Sequence, residues 1–308
     1  MLADWPLLPL KIHCIGAASG LGGPDPGCER GPEVLWEAGL PATLRENAWQ
    51  VGWSLLTLKP AQGENPLNAM LRQLADAVAE AMSAQQFPLI LGGDHSIAAG
   101  SWRGIGRRLG QAPGLLWIDA HLDAHIPETS PSGNLHGMPL AALLGIGTPV
   151  LTDIPGPTLD PSRVVVIGAR SYESAEWETL RRLGVRIVTA QEIAEQGLAA
   201  VVNDALMIVS RSGPWGISLD VDAIDPAFAE AVSTPVPGGL NMAELKRALW
   251  GIFRVPGCCA FELAEFNPTL DHDGETAVAL LALLQAISAP GESDESDESG
   301  KPLQGGGV

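Results

Sequence analysis

Short apolar segments alternate with longer segments of helical periodicity along the whole chain, and this alternation limits the fold more than any other feature. Continuous apolar runs bounded by Gly, Pro or Asp are typical of strands buried on both faces, as in a parallel sheet covered by helices. The predicted strands are Ile12–Ile15, Pro88–Leu91, Leu115–Ile118, Val164–Ile167, Arg186–Val188, Gly216–Leu219 and Cys259–Leu263. The predicted helices include Pro66–Gln86, Trp177–Leu183, Ala243–Phe253 and Thr276–Ile287. This order of elements predicts one α/β domain.

The charge of the chain argues against several classes of partner. The 308 residues carry 18 Lys and Arg against 36 Asp and Glu, a formal net charge of −18. Such an acidic protein repels nucleic acid and anionic lipid, so we expect neither as a partner. No apolar run approaches the ~20 residues of a membrane helix, and no basic segment marks a signal peptide. Four cysteines without a CxxC pair favour reduced thiols and a cytoplasmic location.

The composition changes near residue 290. Residues 1–289 have the mixed composition of a folded domain, whereas residues 290–308 contain the acidic, low-complexity sequence GESDESDESGK followed by GGG. Such a segment lacks the apolar side chains needed for a core. We therefore predict a single domain over 1–289 and a disordered acidic tail over 290–308.

Acids and histidines are concentrated in three loops that follow predicted strands. Residues 92–96 read GGDHS, residues 119–125 read DAHLDAH, and residues 220–226 read DVDAIDP. Ligands bind outside the carboxyl ends of strands in open parallel sheets, so these loops are expected to face one site. Each motif alone is also compatible with a turn, a helix cap or a solvated loop. Together, in a chain with six histidines, they favour a metal site.

The spacing within two of these loops predicts which side chains converge. In extended chain, residues i, i+2 and i+4 point to one side, which would bring Asp119, His121 and Asp123 together. Asp220 and Asp222 would converge in the same way. Four carboxylates in one place repel one another unless a cation compensates them. Carboxylates with imidazole suit divalent Mn, while the absence of Cys disfavours a structural zinc site. Six candidate ligands fit two metals better than one.

The motifs GGDHS, DAHLD and SLDVDAIDP, in this order, resemble the signature of the ureohydrolase family, which includes arginase and agmatinase. Further matching segments are the Gly-rich loop from Gly22 to Pro32, TSPSGNLHG at 129–137, STPVPGGL at 233–240 and EFNPTLD at 265–271. The TSPSGNLHG segment is similar to the substrate loop of arginases rather than agmatinases. The resemblance spans about residues 12–287 and implies a three-layer α/β/α sandwich around a mainly parallel sheet.

The resemblance also implies roles for individual residues. It implies a centre of two divalent ions, Mn²⁺ first and Ni²⁺, Co²⁺ or Zn²⁺ as alternatives, with the ligands His95, Asp119, His121, Asp123, Asp220 and Asp222. Water activated between the two metals would attack the guanidinium carbon, releasing urea and an amine. Asp123 would carry a proton to the leaving amine, and His136 would exchange protons with solvent. Glu265 would pair with the guanidinium, and Thr234 would lie near the substrate.

Two positions depart from the arginase pattern at the predicted substrate-binding residues. Arginases normally have an asparagine where this chain has His125, which is larger and has different hydrogen-bonding groups. Glu173 stands where arginases place an acid that accepts from the substrate amino group, but its extra methylene changes how far the carboxylate reaches. Ser132 keeps its family identity. His125 therefore puts the substrate in question, and it is also a candidate for an additional ligand.

Several functions follow from these expectations. The first is arginase-type hydrolysis of L-arginine to ornithine and urea. The second is the same reaction on another guanidino acid, N-hydroxyarginine, or a substituted guanidine or biguanide. The third is a non-catalytic subunit that partners an active homologue, which the complete ligand set disfavours. A deacetylase of a related fold is a fourth, opposed by the six ligands and the SGNLHG segment. The resemblance implies a homo-oligomer, a trimer or hexamer, and a hetero-oligomer with a homologue is the alternative.

Overall fold

A computed structural model of the protein describes residues 11–57 and 60–290. Its described part contains one sheet of eight strands, all parallel, in the order β2-β1-β3-β8-β7-β4-β5-β6. The strands are β1 (Lys11–Ala17), β2 (Gln50–Leu56), β3 (Phe87–Gly92), β4 (Gly114–Ile118), β5 (Val164–Ala169), β6 (Arg186–Thr189), β7 (Trp215–Asp220) and β8 (Cys258–Ala264).

Helices cover both faces of this sheet. They are α1 (Gly31–Glu37), α2 (Leu40–Glu46), α3 (Pro66–Ser83), α4 (Ala98–Leu109), α5 (Pro139–Leu143), α6 (Pro149–Thr152), α7 (Ser174–Leu183), α8 (Ala190–Gln196), α9 (Leu198–Val209), α10 (Met242–Ala248) and α11 (Glu275–Ile287). The three-layer α/β/α architecture with a parallel sheet is thus confirmed.

Alternate residues of each strand pack into cores on opposite faces of the sheet. In β5, Val165 and Ile167 contact the core under α9, α10 and α11, whereas Val164 and Val166 contact the core under α3, α4 and α7. All six residues of β5 are buried. Burial on both faces explains why these strands are continuous apolar runs in the sequence.

All seven predicted strands are present, but β2 was not predicted. Its residues are mostly half-buried, because β2 lies at one edge of the sheet and pairs only with β1 among the described strands. An edge strand with the sequence QVGWSLL lacks the apolar run by which the inner strands were identified.

The predicted helices are present with shifted ends. The helix predicted over Pro66–Gln86 ends at Ser83, and that predicted over Ala243–Phe253 spans Met242–Ala248. The helix predicted from Trp177 begins at Ser174, where Glu173 and Glu176 form a capping box, and it ends at Gly184 in the left-handed conformation as expected.

Two findings concern predictions about the ends of the chain and about membranes. Apart from Pro290, the predicted tail over 290–308 lies outside the described residues. Over the ranges 11–57 and 60–290, none of the helices combines the length and apolar character needed to cross a bilayer.

Candidate metal centre

The side chains of the candidate site follow four strands that are neighbours in the sheet. These strands lie in the order β3-β8-β7-β4, and each is parallel to the next. Because the strands are parallel, the loops after them meet at one edge of the sheet. The loops contribute His95 after β3, Glu265 after β8, residues 220–222 at the end of β7, and residues 119–125 after β4.

The loop after β3 is packed against the N-terminal Gly-rich loop. A Cβ atom at Gly93 would lie 1.7 Å from the Ser19 carbonyl oxygen, so only glycine fits there. Asp94 is buried and accepts hydrogen bonds from the backbone N–H groups of Gly22 (2.9 Å) and Ser96 (3.0 Å). Asp94 therefore holds the loop and caps the short 3₁₀ turn at His95–Ile97, which positions His95.

A first cluster of ligand atoms surrounds Nδ1 of His95. This nitrogen lies 3.2 Å from Oδ2 of Asp119, 3.1 Å from Oδ2 of Asp123 and 3.0 Å from Oδ2 of Asp220. All four side chains are buried. His95 stacks on Trp117 at 4.1 Å, and the Trp117 indole N–H donates to Asp119 Oδ2 at 2.9 Å. This packing holds the imidazole and one carboxylate in place.

A chain of hydrogen bonds sets the tautomer of His95. Its Nε2 lies 2.9 Å from the Ser218 hydroxyl, which donates to Oε1 of buried Glu262 at 2.6 Å. Because the Ser218 hydroxyl donates its proton to Glu262, its oxygen accepts from the Nε2–H of His95. Nδ1 of His95 then keeps its lone pair. Nδ1 is buried without a hydrogen-bond partner among the described residues and faces three carboxylates. A metal ion satisfies such an arrangement.

A second cluster shares Asp119 with the first. Nδ1 of His121 lies 2.9 Å from Oδ2 of Asp222 and 3.6 Å from Oδ1 of Asp119. Oδ1 of Asp119 thus faces the second cluster while Oδ2 faces the first. Asp222 also accepts from the backbone N–H of Ala120 (3.2 Å) and the hydroxyl of Thr234 (3.1 Å). One carboxylate common to two groups of ligands is the arrangement expected of two adjacent metal ions.

The six predicted ligands converge, but the backbone that carries them is not extended as the prediction assumed. Residues 119–125 are not a strand; Asp123 has a left-handed φ of 48° and lies with His95, whereas His121 lies in the other cluster. Asp222 belongs to a 3₁₀ turn at Val221–Ala223 rather than to β7. His125, considered as an additional ligand on the same spacing, belongs to neither cluster.

The electrostatics of the two clusters also fit metal ions. Burial, together with the Asp119 carboxylate, raises the pKa of Asp123 to about 7. Burial and neighbouring carboxylates likewise raise the pKa values of Asp220 and Asp222. Burial opposes the charged form of His121, yet Asp119 and Asp222 outweigh it and raise its pKa to about 12. The carboxylates therefore require positive charge, which divalent ions with N and O ligands supply.

His136 and Glu265 form a pair beside the clusters. Nδ1 of His136 lies 3.0 Å from Oε1 of Glu265, which also accepts from the backbone N–H of His95 at 2.8 Å. Burial lowers the pKa of His136, but Glu265 outweighs it and raises the pKa to about 9. The other oxygen of Glu265 is buried without a hydrogen-bond partner among the described residues. Glu265 has a left-handed φ of 69°, an uncommon conformation outside glycine.

A cavity of about 290 Å³ opens above the two clusters. All four predicted substrate-binding residues line it: His125, Ser132, Glu173 and Thr234. His136 also lines it, as do four of the six predicted metal ligands: His121, Asp123, Asp220 and Asp222. Nε2 of His125 lies 2.9 Å from Glu173 and 3.2 Å from Glu176. Thr234 contacts Asp222, so it supports a predicted ligand as well as facing the cavity.

Sequence reasoning missed three supporting residues. Ser218 shares a face of β7 with Asp220, and this period-two spacing could have identified it. Glu262 is an acid inside the apolar run of β8, a position where a charge needs a partner. Glu176, three residues after Glu173, shows capping-box spacing and lines the cavity.

Comparisons with known proteins agree with this geometry. The model of the Arginase family matches residues 10–289. The arginases of Brevibacillus brevis and Bacillus caldovelox are 36% and 35% identical to the chain, and each match covers 90% of this chain and 97% of the relative. The crystal structure of Bacillus subtilis arginase superposes with a TM-score of 0.86 at 33% identity, covering 92% of this chain and all of that one. The resemblance stated from the motifs is therefore confirmed: the chain belongs to the arginase family.

Proposed function

We propose that this protein is a hydrolase that cleaves the guanidino group of L-arginine into urea and ornithine with a centre of two divalent metal ions. One observation carries the proposal: two clusters of His and Asp, buried except for the partly exposed His121, share Asp119 beside a cavity of about 290 Å³. The relatives that match nearly the whole chain bear the name arginase. Their name supports L-arginine as the substrate.

Six side chains would hold the metal ions. His95, Asp119, Asp123 and Asp220 would bind the first ion, and His121, Asp119 and Asp222 the second. Bound there, two divalent ions would supply Lewis acidity and lower the pKa of water to produce a nucleophile near neutral pH. The N and O donors favour Mn²⁺, with Co²⁺, Ni²⁺ and Zn²⁺ as the alternatives to be compared.

The protein's own residues would orient the substrate and move protons. Glu265 would pair with the guanidinium through Oε2, which has no hydrogen-bond partner among the described residues. Because this oxygen is buried and Glu265 is not among the residues that line the cavity, its side chain would have to turn toward the substrate. Asp123 lines the cavity beside the other candidate ligands, where it is placed to take a proton and pass it to the leaving amine. His136 lines the cavity and contacts Glu265, so it would exchange protons between the site and solvent.

The outer part of the cavity would bind the amino-acid end of the substrate. Ser132 offers a hydroxyl to the α-carboxylate, and Glu173 offers a carboxylate to the α-ammonium group. His125 lines the same cavity and contacts Glu173. This contact favours a second candidate, in which the same reaction acts on another guanidino compound whose outer end differs from that of arginine.

Urea release tests the proposal. The purified protein is stripped with a chelator, reloaded with Mn²⁺, Co²⁺, Ni²⁺ or Zn²⁺, and assayed against L-arginine, N-hydroxyarginine, other guanidino acids, guanidines and biguanides. We expect the highest kcat/KM with L-arginine. Urea from another guanidine alone would select the second candidate, and no urea from any of them would contradict the hydrolase proposal.

A matched pair of variants shows whether the activity belongs to this site. His95→Asn should abolish urea formation and the binding of one metal ion. His272→Asn removes an exposed histidine outside the cavity and should change neither. A His95→Asn protein with full activity would contradict the placement of the centre.

We also propose that the protein acts in the cytoplasm as a homo-oligomer. Its four cysteines are all free and buried, as is usual in a reducing compartment. Met207, Trp250 and Val278 are large apolar side chains that are more than half exposed, and they could be covered by a second copy. Light scattering on the purified protein tests the oligomeric state, and a monomer at micromolar concentration would contradict it.

A further inference from the structure

The side chain of Arg170, in the loop after β5, joins two other loops beside the second metal cluster. Its guanidinium donates to the backbone carbonyls of Asp222 at 2.6 Å and Ala223 at 3.2 Å, in the turn after β7. It also donates twice to the carbonyl of Val236, at 2.8 and 3.3 Å, and once to that of Gly168 at 3.4 Å. Because a guanidinium holds its N–H donors in a rigid plane, one side chain can fix both loops at once.

The backbone of the same residue holds the loop after β4. The N–H groups of Arg170 and Ser171 donate to the Ala120 carbonyl at 2.8 and 3.0 Å. Ala120 lies between two candidate ligands in the sequence, and its own N–H donates to Oδ1 of Asp222 at 3.2 Å. Arg170, Ala120 and Asp222 therefore form a closed ring of hydrogen bonds. This ring fixes the loops after β4, β5 and β7 relative to one another.

Arg170 also holds the loop over residues 233–240, which carries Thr234. The Thr234 hydroxyl donates to Oδ2 of Asp222 at 3.1 Å, and Val236, which accepts from Arg170, is two residues further along. The guanidinium packs closely on this loop, since a Cβ atom at Gly239 would lie 2.6 Å from Nη2 of Arg170. Asp222 is thus supported at its backbone carbonyl by Arg170 directly, and at its carboxylate through the loop that Arg170 holds.

We propose that Arg170 is a positioning residue for the metal ion that His121, Asp119 and Asp222 would bind. The inference rests on the proposed function, since it requires the centre of two ions. Among the described hydrogen bonds of Arg170, none reaches His95 or a ligand of the first ion alone. Loss of the guanidinium therefore weakens the binding of the second ion and affects the first much less.

Arg170→Lys separates hydrogen-bond geometry from charge. Lysine keeps the positive charge, but its single ammonium cannot reproduce a planar fork that donates to two loops. We expect the affinity of the second Mn²⁺ to fall about tenfold or more, as is typical when an indirect partner of a metal ligand is lost. Competition with a chelator of known affinity measures the dissociation constants of both ions. Equal weakening of both ions, or weakening of neither, would overturn the proposal.

Arg163→Lys is the matched control for a structural effect. The buried Arg163 donates to the backbone carbonyls of Val209, Gly213 and Pro214, which lie before the start of β7 and away from the candidate ligands. Both variants should lower the midpoint of urea unfolding, but Arg163→Lys should leave both Mn²⁺ constants unchanged. A loss of metal affinity as large as that in Arg170→Lys would identify general destabilisation and overturn the positioning role.

Electron paramagnetic resonance gives a second measurement that does not depend on turnover. Two Mn²⁺ ions bound side by side are magnetically coupled, whereas a lone bound Mn²⁺ gives the hyperfine-split spectrum of an isolated ion. At a Mn²⁺ concentration that fills both sites of the unmodified protein, Arg170→Lys should show the spectrum of the isolated ion. A coupled spectrum in Arg170→Lys at that concentration would overturn the proposal.

Thr234→Val keeps the proposal testable should Arg170→Lys fail to fold. This variant removes the hydroxyl by which the 233–240 loop holds Asp222, and it should weaken the second ion more than the first. Constants equal to those of the unmodified protein would overturn the support that Arg170 gives through this loop.

The same titrations distinguish this inference from the proposed function. If the unmodified protein does not bind two Mn²⁺ ions per chain, the proposed centre fails. If it binds two and releases urea, while Arg170→Lys binds both ions as tightly, the proposed function stands and the role of Arg170 is wrong. When the inference holds, urea formation by Arg170→Lys is low at the Mn²⁺ concentration that saturates the unmodified protein and returns with excess Mn²⁺.

Discussion

Ser218→Ala tests the hydrogen-bond chain behind the first metal cluster. In the structure the His95 Nε2–H donates to Ser218 at 2.9 Å, and Ser218 donates to the buried carboxylate of Glu262 at 2.6 Å. The substitution removes both bonds. It leaves the imidazole N–H without a partner and the Glu262 carboxylate with one fewer donor, the Trp102 indole N–H at 3.1 Å remaining.

The hydrogen bonds from His95 through Ser218 to Glu262 determine the size of the expected effect. A hydrogen bond to a charged group is worth about 1.5–3 kcal/mol, and losing the indirect partner of a metal ligand typically weakens metal binding about 10–100-fold. The ion held by His95 should therefore bind about 10–100-fold more weakly. The ion held by His121 and Asp222 should be affected less, because neither residue contacts Ser218 or Glu262 in the structure.

Competition between the protein and a chelator of known affinity measures the two Mn²⁺ dissociation constants. Ser96→Ala is the matched control, since Ser96 is also buried beside His95 but its hydroxyl has no hydrogen-bond partner among the described residues. This control should keep both constants near those of the unmodified protein. If Ser218→Ala weakens both ions equally, or weakens neither, the role of the chain in orienting His95 is wrong.

Three further predictions concern other parts of the site. His125→Asn should raise kcat/KM for L-arginine about tenfold relative to other guanidino compounds, as expected for one well-placed hydrogen bond, and unchanged kinetics would show that His125 does not set specificity. Gly93→Ala should lower the free energy of unfolding by about 1–3 kcal/mol, measured by urea denaturation, because the new methyl would clash with backbone; Gly23→Ala, whose Cβ would meet no atom closer than 3.4 Å, should be nearly neutral. His136 should titrate with a pKa of about 9 in the metal-free protein, and in Glu265→Gln that pKa should fall toward its ordinary value in an NMR titration. Since pairing raises the folded-state pKa of His136, its stabilising effect is complete below pH 6.5, the ordinary pKa, and is lost as the pH rises through about 9. A pKa near 6.5 in both proteins would rule out the pairing.

The sequence predicted the inner part of the sheet well because burial on both faces leaves a clear pattern. Strands such as β4 and β5 are short apolar runs with no polar face, and the acids after them mark the edge where ligands collect. The edge strand β2 was not predicted because it is half-buried and its sequence mixes polar and apolar residues. The observed helix ends differ from the predicted ones by a few residues where capping residues, such as the pair Glu173 and Glu176, lie outside the apolar pattern used for the prediction.

The identities of the candidate ligands were predictable, but their division between two clusters was not. An alternating pattern assumes extended backbone, whereas Asp123 has a left-handed φ that turns its carboxylate toward His95. This conformation depends on tertiary contacts, such as the hydrogen bond from the backbone N–H of Leu140 to the Asp123 carbonyl oxygen at 3.0 Å. The partners of His125 are 48 and 51 residues away along the chain, so they too required the fold.

The order of the strands has a consequence for how the protein matures. The four central strands that carry the candidate ligands and Glu265 come from distant parts of the chain, and β8, with residues 258–264, lies between β3 and β7. Until β8 has been synthesised and inserted, β3 and β7 are not neighbours, so His95 cannot meet Asp220. We therefore expect a truncated chain that ends before residue 258 to lack the complete centre, so that metal uptake would report on completion of the sheet.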